Sequence, residues 1–265
     1  MPGLLAWWDF QHGLTSRGPT PIILEQQGAV STDEEDGVFG PRSLRFTADG
    51  TVAAGHLYSD DPALAIGGRE ARVTVVAWVR RETSPYEGCQ FVAGVWNEHG
   101  GRQYGMFLNL GIWGSREAVG AHVSGHGGAT PGHPYCMDVA LGATEVSFDA
   151  WHTVALGYDG HRATAWLDGA LDRREPVGQM GGNPFTMPGG LHRGSAPFTV
   201  GAVTRPDVVR PDGHGGFVEQ GSSVANPFVG RLGGLAVFDR GLSVGEHRAL
   251  HGLLLRGATT VTGAG

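Results

Sequence analysis

The side chains best equipped for chemistry fall in three neighbouring apolar runs. Trp96, Asn97 and Glu98 close the first, Arg102 and Tyr104 open the second, and His122 lies in the third. Each run alternates as a strand does, so side chains two apart share a face. Gly94, Trp96 and Glu98 then share a face, as do Arg102, Tyr104, Met106 and Leu108, and as do Gly120, His122 and Ser124. Ala121 and Val123 lie opposite His122, which turns the histidine toward an open surface. Brought together, Trp96, Arg102, Tyr104 and His122 suit a sugar. An aromatic ring stacks on the apolar face of a pyranose, and the Arg fork holds a carboxylate or hydroxyls. His122 and Tyr104, with Arg102, are the expected base, acid and anchor for abstracting a proton beside a uronate carboxylate.

Histidine is abundant, 12 in all, and His99, His126, His133, His192 and His214 lie in glycine-rich stretches. The segments SGHGG (124–128) and DGHGG (212–216) each present a histidine among glycines. His126, His133 and His214, with Trp96, Asn97 and Glu98, are the expected substrate-binding set. Among these glycine-flanked histidines no two have the spacing of a metal motif, and zinc needs three or four converging ligands. The acidic run Asp33-Glu34-Glu35-Asp36 reads as a solvated loop, with a calcium loop as the sharper alternative.

Strands must position these groups. The stretch from Trp151 to Gly169, WHTVALGYDGHRATAWLDG, is two alternating runs about an Asp159-Gly160 turn, with a second turn at Asp168-Gly169. Arg72 to Arg81 is apolar on both faces, the mark of a central strand covered on both sides. Leu4 to Phe10 is the opening strand, Ile22 to Leu24 a short one, and Ser43–Phe46 with Thr51–Ala54 a hairpin about Asp49-Gly50. Gln90–Glu98, Arg102–Leu110 and Ala118–Ser124 carry the candidate site. Residues 125–143, 178–197 and 204–227 read as long loops. One helical pattern remains, Leu242 to Leu255, with Ser243 and Glu246 as a capping box and Leu242, Ala249, Leu250, Leu253 and Leu254 facing inward. The expected fold is all-β, a jelly-roll sandwich of two antiparallel sheets with one short C-terminal helix, spanning residues 1–256, with 257–265 a loose tail.

Several of these segments carry a resemblance. W-H-x-V-A-x-x-Y-D-G with the later L-D-G-x-L, LAWWDF (5–10), FGPRSLRF (39–46), VTVVAWVR (73–80), YGMFLN (104–109) and FVGRLGGLAVFDRGLS (228–243) occur in order. Together they resemble laminin-G-like domains of the concanavalin A-like lectin/glucanase superfamily. The resemblance implies a curved sheet whose concave face holds a ligand, and it spans binding modules, hydrolases and lyases alike. It also implies a structural calcium ion near Asp9. The closing strand departs from the pattern, with Gly233-Gly234 in place of two acids, which removes two oxygen ligands. No organic cofactor is implied.

Composition removes other classes. The net charge of −7 and the lack of a long basic run argue against nucleic acid and anionic membranes as partners. No apolar run approaches a membrane span, and the N-terminus lacks a signal-peptide pattern, so a cytoplasmic protein is expected unless a signal has been trimmed. All 19 basic residues are arginine, which excludes a lysine nucleophile. Cys89 and Cys136 are too few for a disulfide framework and read as free thiols. The E-x-D-x-x-E strand motif of glucanases, a GxSxG elbow and a phosphate-binding GxGxxG are missing. Three functions stay open. The first is lectin-like recognition of an oligo- or polysaccharide on the concave sheet. The second is a stand-alone carbohydrate lyase or hydrolase in the same cleft. The third is a protein-interaction domain. The oligomeric state is not legible.

Overall fold

The computed structural model describes residues 1–98, 100–133, 135–205, 208–211, 217–220 and 223–261, with the side chains of 205–223 and 257–261 left aside. Two antiparallel sheets pack face to face. The first runs Ala170–Leu171, Arg162–Leu167, Trp151–Tyr158, Val73–Arg81, Gly230–Phe238, Ser43–Phe46, Ser31–Asp33, with Leu4–Trp8 also on Gly230–Phe238 and Phe185–Thr186 on Arg162–Leu167. The second runs Val139–Leu141, Val119–Val123, Tyr104–Leu108, Gln90–Val95, Phe198–Val200, Gly55–Ser59, Glu25–Gly28. The jelly-roll expectation therefore holds at the level of a two-sheet sandwich with one C-terminal helix.

Alternation explains the layers. Along the central Val73–Arg81 strand, Val73, Val75, Ala77 and Val79 enter the core between the sheets. Val76 and Trp78 join a second apolar layer on the outer face with Ala155, Trp166, Ala236 and Phe238. The Trp151–Tyr158 strand behaves as its sequence implies: Val154, Leu156 and Tyr158 face the main core and Ala155 the outer layer. Phe39 wedges between Trp7 and Trp78, edge to face at 5.3 and 4.8 Å. A Cβ on Gly233 would strike Val38 and Trp151, and one on Gly234 would strike Phe39. These two glycines thus admit the aromatic cover of the outer face.

The helix, Val244–Val261, closes part of that face with Leu250 and Leu254 buried and Leu242 and Leu253 against the cluster. Its capping box forms as read: Ser243 N–H donates to Glu246 Oε2 at 2.9 Å, and Glu246 N–H to Ser243 Oγ at 3.3 Å. The helix extends six residues past Leu255 into the expected tail, and Ala249 is exposed along an apolar groove that it lines with Trp78 and Phe238. His247 stacks on Trp166 at 3.8 Å. A polar chain clamps the hairpin to this helix. Ser147 Oγ lies 2.8 Å from His152 Nε2, His152 Nδ1 lies 2.8 Å from Asp168, and His251 approaches Asp168 at 3.6 Å.

Several local expectations change. Ile22–Leu24 makes only a bridge at Ile23, while Glu25–Gly28 forms the strand. The hairpin about Asp49-Gly50 forms, but between Ala48–Asp49 and Val52–Ala53; Ser43–Phe46 pairs instead with Ser31–Asp33 and Gly230–Phe238. The expected long loops contain the short strands Val139–Leu141, Phe185–Thr186, Val203–Arg205, Val208–Pro211, Phe217–Gln220 and Ser223–Ala225. The acidic run is not merely solvated. Asp33 and Asp36 pair with Arg231 at 2.9 and 3.1 Å, and Asp36 also pairs with Arg80 and accepts from Trp151 Nε1 at 2.8 Å. Among the described residues, no helix is long and apolar enough to cross a membrane.

Candidate functional site

A pocket of about 230 Å³ opens on the outer face of the seven-stranded sheet. Three strands build its floor through one register row, in which Gly105 lies opposite Gly94 on one side and His122 on the other. A Cβ on Gly105 would sit 3.0 to 3.2 Å from the rings of Phe107, Trp96 and Phe91. The missing side chain is what lets these rings converge. Phe107 meets Phe91 at 5.0 Å and Trp96 at 5.6 Å, and His122 lies 5.0 Å from Trp96 and 5.2 Å from Phe107. The walls add Cys89, Leu110, Ile112, Tyr135, Cys136, Met137 and Asn226.

The polar part is compact. Arg102 is 7% exposed, donates to Glu98 Oε2 at 2.6 Å and lies 5.7 Å over the Trp96 ring. Trp96 Nε1 donates to the other oxygen of Glu98 at 3.3 Å. Arg102 Nε and His122 Nδ1 are buried without a hydrogen-bond partner among the described residues. Burial, helped by the positive charge of Arg102, pushes the His122 pKa down to about 3, so its imidazole is neutral near pH 7. Burial, with the Glu98 charge nearby, raises the Cys89 thiol to about 11, and burial raises Cys136 to about 11 as well. Both cysteines are free, and both present protonated thiols to the pocket.

The structure brings together Trp96, Glu98, Arg102 and His122. It does not bring Tyr104 to them. Tyr104 pairs across the ladder with Val95 and Val123, points into the core between the sheets, and donates its hydroxyl to Leu64 O at 2.5 Å. His122 faces the opposite way, so Tyr104 cannot serve as its partner acid. Arg102 reaches the pocket because it precedes the Tyr104–Leu108 strand and escapes its alternation. Asn97 bridges to Thr204 beside the pocket. His126 is exposed and His133 half-buried, and neither lines the pocket; both face Asp138, whose carboxyl burial raises. His214 and His99 lie outside the described residues. Asp9 is committed to Arg17 at 2.8 Å and accepts Gln11 N–H at 3.1 Å. Among the described residues no three His, Cys, Asp or Glu side chains converge as a metal site.

Tyr135 is the residue that pattern reasoning passed over. It lines the pocket with 68% of its surface exposed, the largest exposed ring there. The sequence signal was an aromatic residue isolated in a Gly- and Pro-rich stretch.

No family model matches the sequence, and no curated protein matches it significantly. Solved structures do. Domain 4 of an extracellular arabinanase from Geobacillus stearothermophilus, in complex with arabinotriose, is 14% identical over 94% of this chain and 98% of that domain, with a TM-score of 0.58. The binding domain of botulinum neurotoxin serotype G is 8% identical over 94% of this chain, TM-score 0.57. A type C botulinum neurotoxin structure, described in terms of two ganglioside molecules, is 8% identical over 95%, TM-score 0.59. The chain spans about half the length of the two neurotoxin structures, 51% of each. At these identities the likeness establishes the β-sandwich fold.

Proposed function

We propose that this chain is a carbohydrate-recognition domain and that the Trp96–His122–Tyr135 pocket holds the sugar. The exposed Tyr135 ring in one pocket with the buried polar side chains of Arg102 and His122 carries the reading, because a sugar needs both an apolar platform and fixed hydrogen-bonding groups. The neighbours lend support, since one is a complex with arabinotriose and another concerns gangliosides. The volume, about 230 Å³, falls below the roughly 300–1,000 Å³ of sites for larger ligands, which suits one sugar ring or a chain end.

The lyase alternative is disfavoured by two observations. Tyr104 lies on the wrong face, and a His122 pKa of about 3 is far below the range in which imidazole works as a base near neutral pH. The test is a screen of mono- and oligosaccharides by glycan array and calorimetry, with product formation followed in parallel. Binding without turnover, weakened in Tyr135→Ala, is the expected result. Turnover, or binding indifferent to Tyr135→Ala, would overturn the reading.

A further inference from the structure

We infer that the pocket selects uncharged sugars and that Glu98 sets this selectivity; the inference rests on the carbohydrate reading above. Arg102 is the one formally cationic side chain among the described lining residues, and Glu98 the one anionic side chain. They cancel. The Arg102 guanidinium, with 8% of the side chain exposed, is bound to Glu98 at 2.6 Å, and Trp96 Nε1 holds the other carboxylate oxygen. His122 adds no charge, because a buried imidazole beside Arg102 stays neutral. Cys89 and Cys136 add none, since both thiols are held protonated, their pKa raised to about 11. What remains for a ligand is a set of polar atoms without net charge, in a frame that is apolar on most sides.

A uronate or sialate entering this pocket would need a cation. The cation present is already neutralised, and the carboxylate that neutralises it would repel the newcomer at short range. The chain's overall charge of −7 works in the same direction. A neutral sugar meets no such opposition: its hydroxyls both donate and accept, and so suit a carboxylate, a neutral imidazole and a guanidinium that are already in place. Glu98 is therefore a specificity-determining residue. It fixes Arg102 as a hydrogen-bonding wall rather than an anion receptor.

The test compares matched pairs, glucose with glucuronic acid, galactose with galacturonic acid and lactose with sialyllactose, by calorimetry on the full chain. The wild-type protein should prefer the neutral member of whichever pair it binds by at least about tenfold, as suits an uncompensated buried charge. Glu98→Gln frees Arg102 while keeping the side chain's shape, and should shrink that preference at least fivefold or reverse it. A wild-type preference for the acidic member would overturn the inference, as would an unchanged ratio in a folded Glu98→Gln protein. Should Glu98→Gln fail to fold, the wild-type ratio alone decides. No binding to either member of any pair would instead defeat the carbohydrate reading itself, and this inference with it.

Discussion

Glu117→Gln should expose the cost of a buried arginine. Arg81 ends the central strand with 1% of its side chain exposed. Its guanidinium pairs with Glu117, donates to Val146 O at 2.9 Å and lies 4.2 Å from the Phe148 ring. Burial pushes the Arg81 pKa down, and the Glu117 carboxylate opposes that push. Removing one partner of a fully buried pair costs about 3–5 kcal/mol, because the other charge is stranded. Glu117 is 30% exposed, so water can partly replace it, and the glutamine keeps one acceptor. The expected loss is therefore about 2 kcal/mol, which for a chain of this size is about 4–8 °C in Tm. Urea unfolding followed by tryptophan fluorescence, alongside a thermal melt, measures it. Adding Arg81→Met removes the stranded charge yet keeps an apolar stem on Phe148, and should restore more than half of the loss. The reasoning fails if Glu117→Gln costs less than about 0.5 kcal/mol, or if the two substitutions simply add.

Tyr135→Ala should weaken binding of the cognate sugar about fivefold, the worth of one aromatic contact, and leave Tm within about 1 °C, since the ring is largely exposed. Burial by itself would raise the Asp168 carboxyl, but the hydrogen bonds from His152 and Thr153 N–H, with the charges of His152 and His251, hold it below its ordinary value. A carboxyl lowered on folding stabilises above its unfolded pKa near 4 and loses that contribution as pH falls further. Urea midpoints measured from pH 6 to 3 should therefore drop less steeply in Asp168→Asn than in wild type; identical slopes would count against the clamp. Gly201→Ala should cost about 2–5 kcal/mol by chemical denaturation, because φ is +86° and the new Cβ would collide with the Phe46 ring.

What could be read in the sequence depended on whether one strand sufficed. Alternation within Trp151–Tyr158 and Val73–Arg81 assigned faces correctly, since both strands pack apolar groups on each side. The same rule grouped Tyr104 with His122 only by assuming how separate strands align. Their true register sets His122 opposite Gly105 and Tyr104 opposite Val123, and a shift of one residue exchanges the faces. Arg102 was found despite the rule, because it lies ahead of the ladder. Tyr135 has no periodic context at all, and its place at the pocket comes from how its segment folds back beside Val119–Val123. The pairing of Asp33 and Asp36 with Arg231 joins residues nearly two hundred positions apart, a contact that no local pattern encodes.

The margins of the two sheets bear on how this domain meets other proteins. The seven-stranded sheet ends at Val139–Leu141, three buried residues, and at Glu25–Gly28, whose four residues are exposed and carry only polar side chains or none. The other sheet tapers to Ala170–Leu171 and Ser31–Asp33. Margins this short leave few free main-chain donors and acceptors in line, and so make a poor template for a foreign strand. Main-chain zippering, the usual first step of amyloid growth and strand exchange, finds little purchase here. Recognition by a partner then falls to side chains rather than to an open strand edge.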